Sequence, residues 1–173
     1  MTYQKSYIHL ACFFMILFAK SFCLAGDRVL LKDPPVNFSL KAEVLAVLPF
    51  IHDKVLLLQR LPTHPQANLW CAPGGKIHWN ETVKEAAVRE LWEETGIKIE
   101  KDALVNLGKF YVRYPNGDFI FHLYQTHLSE SDAIKIQISK AEHQNFCLCP
   151  VEKIYHLPLT PGLEECFELA MNK

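Results

Sequence analysis

A chain of 173 residues is long enough for one domain with a hydrophobic core and too short for two ordinary ones. Half of its residues are hydrophobic and 21% are charged, which excludes a wholly disordered or fibrous chain. The net charge of −1 provides no general basic surface for nucleic acid, and six cysteines are too few and too scattered for a disulfide scaffold.

The N-terminus differs from the rest of the chain, because residues 1–25 contain no acidic side chain. Residues 8–19 form a nearly continuous apolar run after Lys5, and the small residues Cys23 and Ala25 follow it. The run is short for a membrane span, which needs about 20 residues, and is typical of a secretory signal. We therefore expect export to the periplasm or the medium. The alternatives are an uncleaved membrane anchor, a buried helix, or a start codon placed too early in a cytoplasmic protein.

The remaining chain is predicted to be a connector over 26–38 and one mixed α/β domain over 39–171. Turn residues at 52–54 and 115–117 predict two β-hairpins. Strands are predicted over 42–50, 55–59, 69–70, 107–114, 118–127 and 146–149, with helices over 80–95 and from 160 to about 170.

Both predicted helices carry boundary signals. Asn80 or Thr82 can cap the first helix, and Gly96 fits the position just after its end. In the last helix, Pro161 is predicted at the first position, with Glu164 and Glu165 in the first turn.

Three carboxylates are predicted along one edge of the first helix. At about 100° per residue, Glu93 and Glu94 fall within about 60° of Glu90, and this edge overlaps the side that Ala87 and Leu91 would bury. Like charges at positions i and i+4 repel each other, and partial burial raises that cost. A hard divalent cation such as Mg²⁺ would remove it, whereas the plain alternative is a solvated acidic face paired with arginine.

Glycines before this helix strengthen the metal interpretation. Gly74 and Gly75 let the backbone approach a phosphate or a metal closely. Glu81, at the start of the helix, is predicted to support Arg89 and the loop rather than to bind the metal.

The spacing of these residues resembles the Nudix box at every defined position. The matching residues are Gly75, Glu81, Arg89-Glu90-Leu91, Glu93-Glu94 and Gly96-Ile97. The resemblance covers about residues 40–170 and implies an α/β/α sandwich with a mixed sheet. It also implies Mg²⁺-dependent hydrolysis of a nucleoside diphosphate linked to another group, with Mn²⁺ able to substitute.

The resemblance also assigns roles to residues. Glu90, Glu93 and Glu94 match the family's metal-binding glutamates, and the Gly75 region can add a backbone carbonyl. Since the family uses no single general base, Glu142 in a polar loop is one candidate and Glu93 is its rival.

Four further residues are predicted to contact the substrate: Arg60, Lys76, Tyr111 and Arg113. Each has a plainer alternative, as a strand-end, loop or core residue. The histidines show no zinc-like spacing and are predicted to be surface or core residues.

The predicted function is therefore a Nudix pyrophosphohydrolase acting on a small nucleotide: a nucleoside triphosphate, an ADP-ribose-like compound or a nucleotide sugar. The alternative is a non-catalytic Nudix module that senses a nucleotide. Nucleic acid is not expected as a partner, a membrane is expected only if residues 1–25 are an anchor, and family members are often homodimers.

Overall fold

The computed structural model describes residues 29–115 and 117–172. The predicted signal or anchor over 1–25 lies outside these residues and stays a prediction. No helix within the described ranges is both long enough and apolar enough to cross a membrane.

One mixed sheet and its flanking helices make up the described chain. The strands are β1 Leu40–Ile51, β2 Lys54–Arg60, β3 Trp70–Cys71, β4 Val105–Tyr114, β5 Gly117–His127 and β6 His143–Pro150. The helices are α1 Val83–Thr95, α2 Glu130–Ala133 and α3 Leu163–Met171, with 3-10 turns at Lys101–Ala103 and Val151–His156. Both predicted hairpins are present, as β1–β2 and β4–β5.

Strands β1 and β2 separate close to their turn, and the gap between them provides the position of the candidate site. β1 runs parallel to β5, whereas it pairs with β2 only next to their turn, at Phe50–Val55 and Ile51–Lys54. Strand β2 pairs with β3 at Leu58 and Gln59, and with β6 along its whole length. Residues 73–77 form hydrogen bonds with the edge of β1 that β2 leaves unpaired. One of these bonds runs from Leu45 N to Gly75 O, at 2.9 Å. The glycine pair is thereby fixed against the central strand.

Alternating side chains of the sheet pack against helices on its two faces. In β2, Leu56 and Leu58 join the apolar cluster that contains Leu91 of α1. Val55 and Leu57, which alternate with them in β2, join a second apolar cluster. That cluster contains Leu48 and Phe50 of β1 and Phe167 of α3. Because successive strand residues point to opposite faces, the fold is the predicted sandwich with helices on both faces of the sheet.

Helix α1 begins later than predicted and ends where predicted. Thr82 is its N-cap: its hydroxyl accepts from Glu85 N, while the Glu85 carboxylate accepts from Thr82 N at 2.8 Å. This capping box selects Thr82 over Asn80. The helix ends at Gly96, whose φ of 73° suits a residue without Cβ.

The predicted start of the last helix is wrong. Helix α3 begins at Leu163, and Gly162, with a φ of 85°, is its N-cap instead of Pro161 occupying the first turn. The reason is tertiary: Thr160 N donates to Trp70 O at 2.9 Å, so the chain is still paired beside β3 at this point. Strand β6 also begins three residues earlier than predicted, because its pairing with β2 continues to His143 opposite Arg60.

Candidate active site

Arg89 of α1 lies at the centre of an acidic cluster formed by Glu81, Glu90, Glu93 and Glu94. Its guanidinium donates two hydrogen bonds to Glu81, at 2.6 and 2.9 Å, and a third to Lys76 O at 3.0 Å. This pairing lowers the pKa of Glu81 to about 2. Arg89 Nη1 also contacts Glu90 at 2.9 Å and Glu93 at 3.0 Å. Arg89 thus ties the loop before the helix to two box glutamates.

Glu90 packs directly on Gly75. An ideal Cβ on Gly75 would lie 2.5 Å from Glu90 Oε1 and 2.7 Å from Oε2, so only glycine leaves room for this carboxylate. The side chain is 13% exposed. Burial is the largest cause that raises the pKa of Glu90, and hydrogen bonding to Arg89 opposes it.

Glu94 is the most buried of the three box carboxylates, at 3% exposure. Its Oε2 accepts from Gly74 N at 2.8 Å, and its Oε1 lies 2.9 Å from His143 Nε2. Burial raises the pKa of Glu94, and the contact with His143 acts in the opposite direction. The overlap of the acidic edge with the buried side of α1, expected from the helical angles, is therefore present at Glu94.

Glu93 occupies the exposed end of the same edge. Its side chain is 46% exposed, and its contact with Arg89 is an i, i+4 ion pair. A solvated acidic side chain paired with arginine is the plain alternative to a metal ligand, and it describes Glu93 better than its two neighbours.

His143 is a site residue that the sequence interpretation missed. It is 2% exposed, and its Nδ1 has no hydrogen-bond partner among the described residues. Ligand atoms of His143, Glu94 and the exposed Glu142 all lie within 4.8 Å of one another. The loop that carries Glu142 thus reaches the box helix, and the adjacent histidine belongs to the same group. The Glu142-His143 pair, placed just before a strand, is the sequence signal that could have suggested it.

The donor chemistry of this cluster suits a hard divalent cation. Glu94 and Glu142 offer carboxylate oxygens within 4.8 Å of each other, and Glu90 offers two more, one turn earlier on α1. Burial raises the pKa of Glu90 and of Glu94, which disfavours uncompensated negative charge there. Gly75 O already accepts from Leu45 N, and a carbonyl has a second lone pair available. The residues therefore fit the divalent ion that the motif implies.

A cavity of about 340 Å³ adjoins the acidic cluster. Gly74 and Gly75 line it on the side of α1. The rest of the lining is mostly apolar and comes from the sheet, from the turn before α3 and from residues 29–30; it includes Val112, Tyr114, Phe119, Phe121, Pro161 and Leu163. Arg60 is the one charged side chain among the described residues that line it.

The four predicted substrate residues are divided between two places. Arg60 lines the cavity and donates to Pro65 O at 2.8 Å, while Lys76 is exposed beside the glycines, and its carbonyl accepts from Arg89. Tyr111 packs edge-on against Phe38, with ring centroids 5.2 Å apart.

Arg113 forms a two-point pair with Asp118 at 2.8 Å. Neither Tyr111 nor Arg113 lines the cavity, because their neighbours Val112 and Tyr114 point to that face of β4. Their placement therefore gives no support to a substrate role for either residue.

Comparisons with known proteins agree with this geometry. The sequence profile of the family described as NUDIX domain matches residues 40–170. The uncharacterized Nudix hydrolase YvcI of Bacillus subtilis is 35% identical over 111 residues, which are 64% of this chain and 66% of that protein. The CTP pyrophosphohydrolase of Escherichia coli is 31% identical over 122 residues, which are 69% of this chain and 84% of that protein.

Among solved structures, the NUDIX domain of Shewanella oneidensis NrtR in complex with ADP ribose superposes with a TM-score of 0.67. It is 25% identical, and the match covers 81% of this chain and 92% of that one. The family profile spans the sheet, the box helix and all of the cavity lining except Val29 and Leu30. The chain therefore belongs to the Nudix hydrolase family.

Proposed function

We propose that the chain hydrolyses a diphosphate bond in a small nucleotide, in a reaction that requires a divalent cation, with Mg²⁺ as the expected ion. The substrate class is a nucleoside diphosphate carrying a further group, such as phosphate, ribose phosphate or a sugar.

One observation carries this proposal: the same two glycines border both the apolar cavity and the carboxylate cluster. Gly74 donates its N–H to Glu94, and Gly75 packs against Glu90, while both line the cavity. A nucleobase held in the cavity would therefore place its phosphates beside the glutamates. Glycine backbone at this junction also allows close approach of phosphate oxygens.

The bound cation would neutralise phosphate charge and make the attacking water more acidic. Glu90 and Glu94 would hold the cation from the buried side of the helix, and Glu93 would hold it from the exposed side. Gly74 N and His143 fix the two oxygens of Glu94, which limits the orientations of that carboxylate. Arg60, at the cavity wall, supplies positive charge for a phosphate oxygen.

We assign Glu142 as the general base. It is exposed, so water can reach it, and it lies within 4.8 Å of the Glu94 and His143 ligand atoms. Glu142 takes a proton from water as the water oxygen bonds to phosphorus. The phosphorus–oxygen bond of the bridge then breaks, and the leaving phosphate keeps that oxygen. Glu93, the rival base, is already paired with Arg89.

The names of similar proteins suggest where to look for the substrate. The Escherichia coli relative is a CTP pyrophosphohydrolase, a shorter match from Proteus vulgaris is an 8-oxo-dGTP diphosphatase, and the NrtR domain was solved with ADP ribose. These names point to nucleoside triphosphates and ADP-ribose as the first compounds to assay.

The deciding experiment is a panel assay of the purified chain with Mg²⁺ and with Mn²⁺, followed by identification of the products. The panel contains nucleoside triphosphates, ADP-ribose, nucleotide sugars and dinucleoside polyphosphates. Cleavage within the diphosphate of any of them supports the proposal. Tight binding without turnover of any member would instead favour the sensing module.

Two variants link turnover to the box. Glu93→Gln and Glu94→Gln should each lower kcat by about 100-fold or more, because each removes a charged oxygen ligand. Glu100→Gln is the matched control, since Glu100 is exposed and lies after the helix. Near-wild-type turnover of both box variants in saturating Mg²⁺ would refute the metal assignment.

A further inference from the structure

Part of the cavity wall comes from residues that precede the matched domain. Val29 and Leu30 line the cavity, although the family profile begins at residue 40. Leu30 is 8% exposed and belongs to the same apolar cluster as Leu163 and Phe167 of α3. We call residues 29–31 the N-terminal wall.

Hydrogen bonds hold the N-terminal wall at both ends. Glu165 of α3 accepts from Val29 N at 2.7 Å through one carboxylate oxygen and from Leu30 N at 3.1 Å through the other. Leu31 exchanges two backbone hydrogen bonds with Tyr111 of β4, at 3.0 and 2.8 Å. Three consecutive residues are therefore fixed to the last helix and to the edge of the sheet.

The wall also packs closely on the turn that begins α3. An ideal Cβ on Gly162 would lie 3.0 Å from Val29 Cγ1, so the side chain of Val29 fills the space that a larger residue at 162 would need. Thr160, Pro161 and Gly162 line the same cavity. The wall and this turn together bound one side of it.

We infer that the N-terminal wall, held by Glu165, is a specificity-determining element that sets the fit of the nucleobase in the cavity. This inference rests on the proposed function, because it takes the cavity to be the base site. The wall contacts neither the glutamates of the box nor Glu142 through any described hydrogen bond. Its loss should therefore weaken binding of the base without altering the chemical step.

The expected kinetic signature is a rise in KM at nearly constant kcat, since binding energy common to the ground and transition states is lost. Glu165→Ala removes both acceptors and should raise the KM for the panel nucleotide that the wild-type chain hydrolyses fastest by about tenfold. Glu165→Gln keeps one acceptor oxygen and should have an intermediate effect. Glu164→Ala is the matched control, because Glu164 is exposed and adjacent on the same helix.

The test combines this series with amide hydrogen exchange measured by NMR on the full chain without nucleotide. In the wild-type chain the amides of Val29, Leu30 and Leu31 should be protected. In Glu165→Ala, Val29 and Leu30 should lose protection by at least tenfold, while Leu31 keeps its bond to Tyr111. Melting temperatures of all variants verify that each remains folded.

Each outcome decides between the two proposals. Unprotected wild-type amides, or protected ones accompanied by an unchanged KM for that nucleotide in Glu165→Ala, would overturn the inference while the proposed function stands. A fall in kcat with constant KM would also overturn it. If the wild-type chain hydrolyses no nucleotide of the panel, the proposed function fails, and the nucleotide role of the wall fails with it.

Discussion

Substitution of Gly75 by alanine tests whether the position of Glu90 governs catalysis. The added Cβ would lie 2.5, 2.6 and 2.7 Å from Oε1, Cδ and Oε2 of Glu90, whereas ordinary contact begins near 3.4 Å. The carboxylate must therefore retreat by about 1 Å. A misplacement of this size costs on the order of 100-fold in rate when the group positions reacting atoms.

The fold should tolerate this change. The crowded atoms are the end of a flexible side chain, so we expect the melting temperature of Gly75→Ala to stay within about 4 °C of the wild type. Gly74→Ala is the informative contrast. Its Cβ would meet the backbone, namely Leu45 O and, at 2.8 Å, Ala46 Cα, so this variant should lose stability instead.

The assay measures kcat, the concentration of Mg²⁺ that gives half-maximal activity, and the melting temperature. It uses whichever nucleotide of the panel the wild-type chain hydrolyses fastest. A double variant separates causes: if alanine at 75 acts only through Glu90, adding it to Glu90→Gln should change kcat no further. Wild-type turnover and wild-type Mg²⁺ dependence in Gly75→Ala would refute the reasoning.

Three more predictions concern the charges of the cluster. Mg²⁺ should raise the melting temperature, and EDTA should reverse the rise, because only the folded chain gathers the glutamates; an undiminished shift in Glu90→Gln/Glu94→Gln would place the cation elsewhere. Glu81→Gln should destabilise the chain fully above pH 4.5, and urea unfolding should show this deficit vanishing as pH falls toward 2, since Arg89 lowers the folded pKa of Glu81 to about 2; a deficit independent of pH would contradict this. His143→Leu should weaken Mn²⁺ binding by about 10- to 100-fold, and His143→Gln by less, in a titration followed by electron paramagnetic resonance; equal affinities would exclude a positioning role for His143.

Local patterns were sufficient to predict the helix that carries the box. The helical angles placed Glu90 and Glu94 toward the buried side, and both are largely buried in the structure. Turn residues likewise predicted both hairpins. These features depend on residues close together in sequence, for which periodicity and turn chemistry carry direct information.

The sequence did not show which face of strand β4 lines the cavity. Tyr111 and Arg113 were predicted to contact the substrate, yet the residues of β4 that line the cavity are Val112 and Tyr114. A shift of one residue exchanges the two faces of a strand. With apolar residues on both faces of β4, the alternation did not show which face meets α3.

Contacts between distant segments explain what else was missed. Glu94 and His143 are 49 residues apart and meet because β6 pairs with β2 in a register that sets His143 opposite Arg60. Glu165 and Val29 are 136 residues apart, and the stretch that holds Val29 was predicted only as a connector. In both cases a carboxylate, that of Glu94 or Glu165, is held by a distant residue. The sequence around that residue has no periodic pattern of apolar residues that would predict the contact. Since we propose that such partners orient a box glutamate and bound the cavity, we expect relatives with the same box to differ in metal affinity and in the nucleotide they prefer.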